Sequence, residues 1–102
     1  MVDSPVSITS NALKEVKYIL AHKNIPQDYG LRIGVRGGGG CGTTSFFLGF
    51  DQEKEFDKIY DVEGIKLIVD KRQFMYILDL QLDFEERETE RGFVFNKQVK
   101  TV

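Results

Sequence analysis

Leu31-Arg32-Ile33-Gly34-Val35-Arg36-Gly37-Gly38-Gly39-Gly40-Cys41-Gly42-Thr43-Thr44-Ser45-Phe46-Phe47-Leu48-Gly49-Phe50-Asp51 reads as two strands with a glycine tract between them. Leu31, Ile33 and Val35 alternate with Arg32, Gly34 and Arg36, the period of a strand with one buried face. Ser45 to Asp51 is short and aromatic-rich, which suits a second strand. Two strands with a glycine-rich connection predict a hairpin with a long tip. Six of the ten glycines lie between Gly34 and Gly42, and so does the one cysteine, Cys41. Gly37, Gly38, Gly39, Gly40 and Gly42 therefore surround the thiol with backbone able to take positive φ and to approach another group closely.

N-terminal to this hairpin, Val6-Ser7-Ile8 alternates as a short strand. Thr9, Ser10 and Asn11 are helix N-cap residues, and Ala12, Leu13, Val16, Ile19 and Leu20 follow at helical spacing. That helix should stop near Lys23-Asn24, because Pro26 holds Ile25 extended. C-terminal to the hairpin, the charged segment Gln52–Asp57 reads as a loop. Lys58–Val62 and Ile65–Val69 flank Glu63-Gly64, a tight-turn pair, and predict a second hairpin. Asp70 can cap a second helix in which Phe74, Ile77 and Leu78 face inward. Leu80–Glu85 alternates as a strand, Glu85–Arg91 is a charged turn, and Gly92–Asn96 is a last short strand. Residues 97–102 form a tail with no pattern, expected to be disordered.

The order β-α-β-β-β-β-α-β-β lacks regular β-α alternation, which excludes a doubly wound parallel sheet. The expected fold is mostly β with two helices (α+β), a small antiparallel β-sandwich or open barrel. At 102 residues the chain, 1–102, reads as a single domain. Its net charge of −2 argues against nucleic acid as a partner. No apolar run approaches the ~18 residues that span a bilayer, so no membrane partner is expected. One cysteine permits no internal disulfide, and Met1–Ser10 holds no signal-peptide core. Both point to the cytoplasm.

Two phosphate-binding motifs fail on context. Gly37-x-Gly39-x-x-Gly42 matches the dinucleotide fingerprint, but that motif needs a helix N-terminus to follow, and Ser45-Phe46-Phe47 is a strand. Gly37-x-x-x-x-Gly42-Thr43-Thr44 is a P-loop without its lysine. His22, alone near a helix end, reads as a surface residue at the negative end of the dipole. Asp79, Asp83, Glu85 and Glu86 could suggest acid–base chemistry, but Asp83 and Glu85 fall on the outward face of an alternating strand. With no convincing base for Cys41, a thiol enzyme is disfavoured and no catalytic residue is assigned. The glycine N–H groups can stabilise a thiolate, leaving Cys41 as a metal ligand, a mixed-disulfide partner or a bystander.

The whole-chain pattern resembles the A-type iron–sulfur carrier family, the HesB-like assembly proteins. The matching stretches are Ser7-Ile8-Thr9 before a capped helix, Gly30–Arg36 before a glycine-cysteine loop, Gly64–Asp70, Leu78–Phe84 and Gly92–Asn96. The resemblance implies a HesB-like domain. It also implies an iron–sulfur assembly protein, not an enzyme, that binds iron or a labile cluster through Cys41. The family carries two further cysteines as a C-x-C near its C-terminus, and none follows Asn96 here. Cys41 also comes five residues after Arg36 rather than four, and is followed by Gly42-Thr43 rather than Ser-Gly. A cluster generally takes four thiolates; one chain offers one, and a homodimer two. The implied partners are thus a second copy of the chain and scaffold or recipient apoproteins. The alternative is an interaction or regulatory protein that keeps the fold and has lost autonomous cluster binding.

Overall fold

The structure, a computed structural model, describes residues 4–37 and 44–97. Among the described residues, seven strands and two helices follow one another in the expected order: β1 (Val6–Ile8), α1 (Ser10–His22), β2 (Gly30–Gly37), β3 (Thr44–Asp51), β4 (Asp57–Val62), β5 (Ile65–Asp70), α2 (Phe74–Ile77), β6 (Leu80–Glu86) and β7 (Arg91–Lys97). They build two open sheets, one ordered β1-β6-β7 and the other β3-β2-β5-β4. Neither closes into a barrel. The consecutive pairs β2–β3, β4–β5 and β6–β7 are antiparallel. The two pairings between sequence-distant strands, β1–β6 and β2–β5, are parallel.

Local chemistry accounts for the boundaries. Thr9 is extended at the N-cap of α1, and its hydroxyl accepts from the Ala12 N–H, satisfying a donor that the first turn leaves open. Asn24 adopts φ +57 just beyond the helix, the left-handed residue that commonly ends one. Glu63 and Gly64 take φ +54 and +88, so the β4–β5 connection has the twist that two-residue hairpins favour. The carboxylate of Asp70 accepts from the Arg72 N–H and starts a 3-10 turn, Lys71–Gln73, which leads into the single turn of α2. Of the three residues expected to face inward there, Ile77 is fully buried, and Phe74 and Leu78 are half-buried.

The core lies between the sheets and under α1. Leu31 and Ile33 from β2, Leu67 and Val69 from β5, Leu80, Leu82 and Phe84 from β6, and Ala12 and Val16 from α1 form one cluster. The alternation of β6 is visible in its burial, with Leu82 and Phe84 inside and Gln81, Asp83 and Glu85 partly exposed. Two sequence expectations shift. Asp57, assigned to a charged loop, is the first residue of β4 and is buried. Lys97, assigned to a patternless tail, ends β7 opposite Leu80, and residues 98–102 lie outside the described residues.

Candidate functional site

The base of the glycine tract is held on both sides. On one side β2 runs in register with β3 through Val35↔Phe46, Arg36↔Ser45 and Gly37↔Thr44. On the other, β5 has already turned away, and the Gln73 carboxamide takes its place. Gln73 Oε1 accepts from the Val35 N–H at 3.0 Å, and Gln73 Nε2 donates to the Val35 carbonyl at 3.2 Å. The amide so continues the ladder for one more residue. Gly34 makes room for it: a Cβ there would stand 2.6 Å from Gln73 Oε1 and 2.9 Å from the Phe47 ring.

Two further elements converge on this end of the hairpin. Phe46, two residues from the start of β3, meets Phe95, two residues from the end of β7, at 5.8 Å between ring centroids. Lys97 Nζ donates to the carbonyls of Tyr76 and Leu78 at 3.0 and 2.6 Å. It thereby caps the end of α2 with a positive charge. The base of the glycine tract, α2 and the end of β7 thus form one region. Gly37 closes β2. Cys41, Gly38, Gly39, Gly40 and Gly42 lie outside the described residues. A strand, not a helix, follows the tract, so the phosphate-binding motifs lack the element they need.

The outer side of β2 carries charge. Arg32 donates through Nη1 and Nη2 to both carboxylate oxygens of Asp57, at 2.8 and 2.5 Å, and through Nε to Asp51 at 2.9 Å. The Asp57 side chain is 2% exposed, and its second oxygen also accepts from the Lys54 N–H. The Arg32 guanidinium holds the Asp57 carboxyl below the usual carboxylate range, against the opposing effect of burial. Nearer the tract, the Arg36 guanidinium lies over the Phe47 ring at 4.6 Å.

The other residues singled out from the sequence fall away from this region or serve structure. His22 is exposed, stacks on Tyr18 at 4.2 Å, and donates through Nδ1 to the Tyr18 carbonyl. Glu85 and Glu86 pair at the surface with Arg87 and Arg91. Asp79 takes φ +65, with its N–H on the Pro5 carbonyl. Asp83 does more than face solvent: its Oδ1 accepts from the Thr9 hydroxyl at 2.6 Å and fixes the helix cap to β6. Among the described residues, no three His, Cys, Asp or Glu side chains are grouped to hold a metal. No helix among them is long and apolar enough to cross a membrane. Sequence reasoning missed Gln73 and Asp57. Their partners lie 38 and 25 residues away, beyond any local pattern.

Comparison with known proteins bears on the whole of this arrangement. Residues 5–101 match the family model described as iron-sulphur cluster biosynthesis. The chain is 35% identical over 92 residues to the iron-binding protein IscA of Photorhabdus laumondii, covering 89% of this chain and 83% of that one. The crystal structure of Escherichia coli SufA, involved in biosynthesis of iron-sulfur clusters, superposes with a TM-score of 0.75 at 25% identity, covering 90% of this chain and 79% of that one. A crystal structure of IscA with the [2Fe-2S] cluster shares the fold, with a TM-score of 0.68 at 22% identity and cover of 90% and 81%. The match takes in both sheets, both helices and the glycine-cysteine tract, and the chain belongs to the iron–sulphur cluster biosynthesis family.

Proposed function

We propose that this protein is an iron–sulfur assembly or carrier protein that takes iron, or a labile cluster, as cargo on the Cys41 thiolate. The observation that carries the reading is the match over residues 5–101, which includes the paired stem of β2 and β3 and the one thiol of the sequence between them. The stem supports the reading physically. Register pairing up to Gly37↔Thr44, with Gln73 on the other edge of β2, gives the tract a fixed base. Glycine backbone takes positive φ without steric cost, the conformation in which successive N–H groups can face an anion.

One thiolate is too few for a cluster, which generally takes four. The remaining donors are carboxylates, an external thiol such as glutathione, or groups of a partner protein: a second copy in a homodimer, a scaffold that delivers the cargo, or a recipient apoprotein that takes it. Cargo held this way is labile, as a carrier requires. The protein acts as a non-enzyme in the cytoplasm, as a single domain over 1–102. The single thiol also favours a second reading, an interaction or regulatory protein of the same fold that binds no cluster by itself.

Anaerobic reconstitution with iron and sulfide separates the two. Visible charge-transfer bands and bound iron are expected in the native protein and lost in Cys41→Ser. Equal iron in both proteins would remove Cys41 from the site. No iron in either would overturn autonomous binding and leave the interaction reading.

A further inference from the structure

Among the described residues four large apolar side chains are exposed: Tyr18, Phe56, Met75 and Tyr76. Two of them are covered by a neighbour. The Tyr18 ring stacks on His22, and the Arg72 guanidinium lies over Phe56 at 4.3 Å. Met75 and Tyr76 are 74% and 59% exposed and adjacent on α2, and no ring or cation among the described residues lies against Tyr76. A single exposed apolar residue is ordinary, but this pair stands on a turn fixed at both ends. Before the turn, Gln73 is bonded to both backbone groups of Val35. After it, Lys97 Nζ holds the carbonyls of Tyr76 and Leu78. Ile77, the next residue, is fully buried.

The surroundings are basic, in a chain whose net charge is −2. Lys71 is exposed in the 3-10 turn that leads into α2, Lys97 lies at the end of α2, and Arg36 follows the Val35 that Gln73 holds. None of these three cations has a carboxylate partner among the described residues. Asp70, at the start of the same turn, is engaged by the N–H, Nε and Nη2 of Arg72. Glu85, Glu86, Glu88 and Glu90 gather at the β6–β7 turn, the end of β6 away from α2. A second copy would bring the same cations to a symmetric contact here, and like charges would meet.

We propose that α2 is the docking element for a recipient apoprotein: Met75 and Tyr76 enter an apolar pocket of that protein, and Lys71, Lys97 and Arg36 meet an acidic rim around it. The carrier reading above supplies the kind of partner; the surface itself rests on exposure and charge. Tyrosine and methionine are favoured at the centre of interfaces. A turn already held at both ends loses little freedom on binding, and unpaired cations at the rim steer an acidic partner. A recipient docked on α2 stands beside the stem of β2 and β3, because Gln73 joins the two.

Titration of the iron-free protein with an acidic plant-type apo-ferredoxin, a chain with four cysteines and no cluster, tests the surface without cargo. Backbone amide shifts are expected to gather at residues 71–77, Arg36 and Lys97. Met75→Ser combined with Tyr76→Ser should weaken binding about tenfold or more. Lys71→Glu should weaken it about threefold or more at low salt and less at high salt. All three substitutions fall on exposed side chains, and circular dichroism should match the native protein. Binding that is absent, or that both variants leave unchanged, overturns the proposal. So do shifts at residues 71–77 that follow the concentration of the protein alone, which would assign α2 to a second copy, or shifts produced by phosphatidylserine vesicles and not by the apo-ferredoxin, which would assign it to a lipid surface. The carrier reading fails separately. Docking on α2 by a protein that loads no iron on reconstitution would keep the surface and remove the cargo. Iron that reaches the apo-ferredoxin equally fast from the native protein and the double variant would keep the cargo and remove the surface.

Discussion

Where Gly34 would carry a Cβ, the Gln73 amide and the Phe47 ring already lie, at 2.6 and 2.9 Å. Gly34→Ala is expected to cost about 1–3 kcal/mol in urea denaturation. Adding Gln73→Ala should recover part of that loss, because the two residues share one space; strict additivity would refute the coupling. Asp57 is the other residue whose loss should be felt. Asp57→Ala leaves Arg32 and the Lys54 N–H short of a partner and is expected to cost about 3 kcal/mol. The same pair sets a pH dependence. The folded Asp57 carboxyl titrates below its unfolded value, near 3.9, so the unfolded chain binds the proton first as pH falls. The stabilisation is complete above about pH 5 and lost as pH drops through the folded value. Stability measured against pH should fall in that acid range, and Asp57→Asn should flatten the fall. Neither residue's role was legible in the sequence. Gly34 read only as one position of an alternating strand, and nothing near Asp57 announces Arg32. Cys41 and its glycines, by contrast, stood out by composition alone.

At the level of elements, α1 and β6 are joined by a contact that neither segment displays by itself. The Thr9 hydroxyl both caps the helix and donates to Asp83 on β6, and the Thr9 N–H donates to the Leu82 carbonyl. Thr9→Ala is expected to lower stability by about 1–2 kcal/mol, with Thr9→Ser restoring most of it. A loss below a few tenths would show that the cap is dispensable. The cap itself was legible, since Thr9-Ser10-Asn11 before an apolar periodic run has few other readings. So were both hairpins that flank the β3–β4 connection, each with its turn chemistry in plain view. α2 was harder. Phe74, Ile77 and Leu78 have helical spacing, yet the helix makes one turn after a 3-10 turn, because Gln73 is engaged on β2 and Leu80 must enter β6.

For the whole molecule, strand number, order and the two helices follow from periodicity, because each element displays its own buried face. The pairing of strands far apart in the chain does not, because periodicity carries no information about which faces meet. The parallel pairs β1–β6 and β2–β5 could not be read for that reason, and neither could the number of sheets. The β1–β6 pair has a consequence for how the chain reaches this state. Its hairpins need only short loops to close, whereas Val6 must wait for Leu80, and closing so long a span costs entropy that no early contact returns. Emerging from a ribosome, the first strand is made long before its partner. Until β6 arrives, Val6 and Ile8 have no edge to join, and the helix behind them has no sheet to cover. Synthesis of the last quarter of the chain thus completes the assembly of the first.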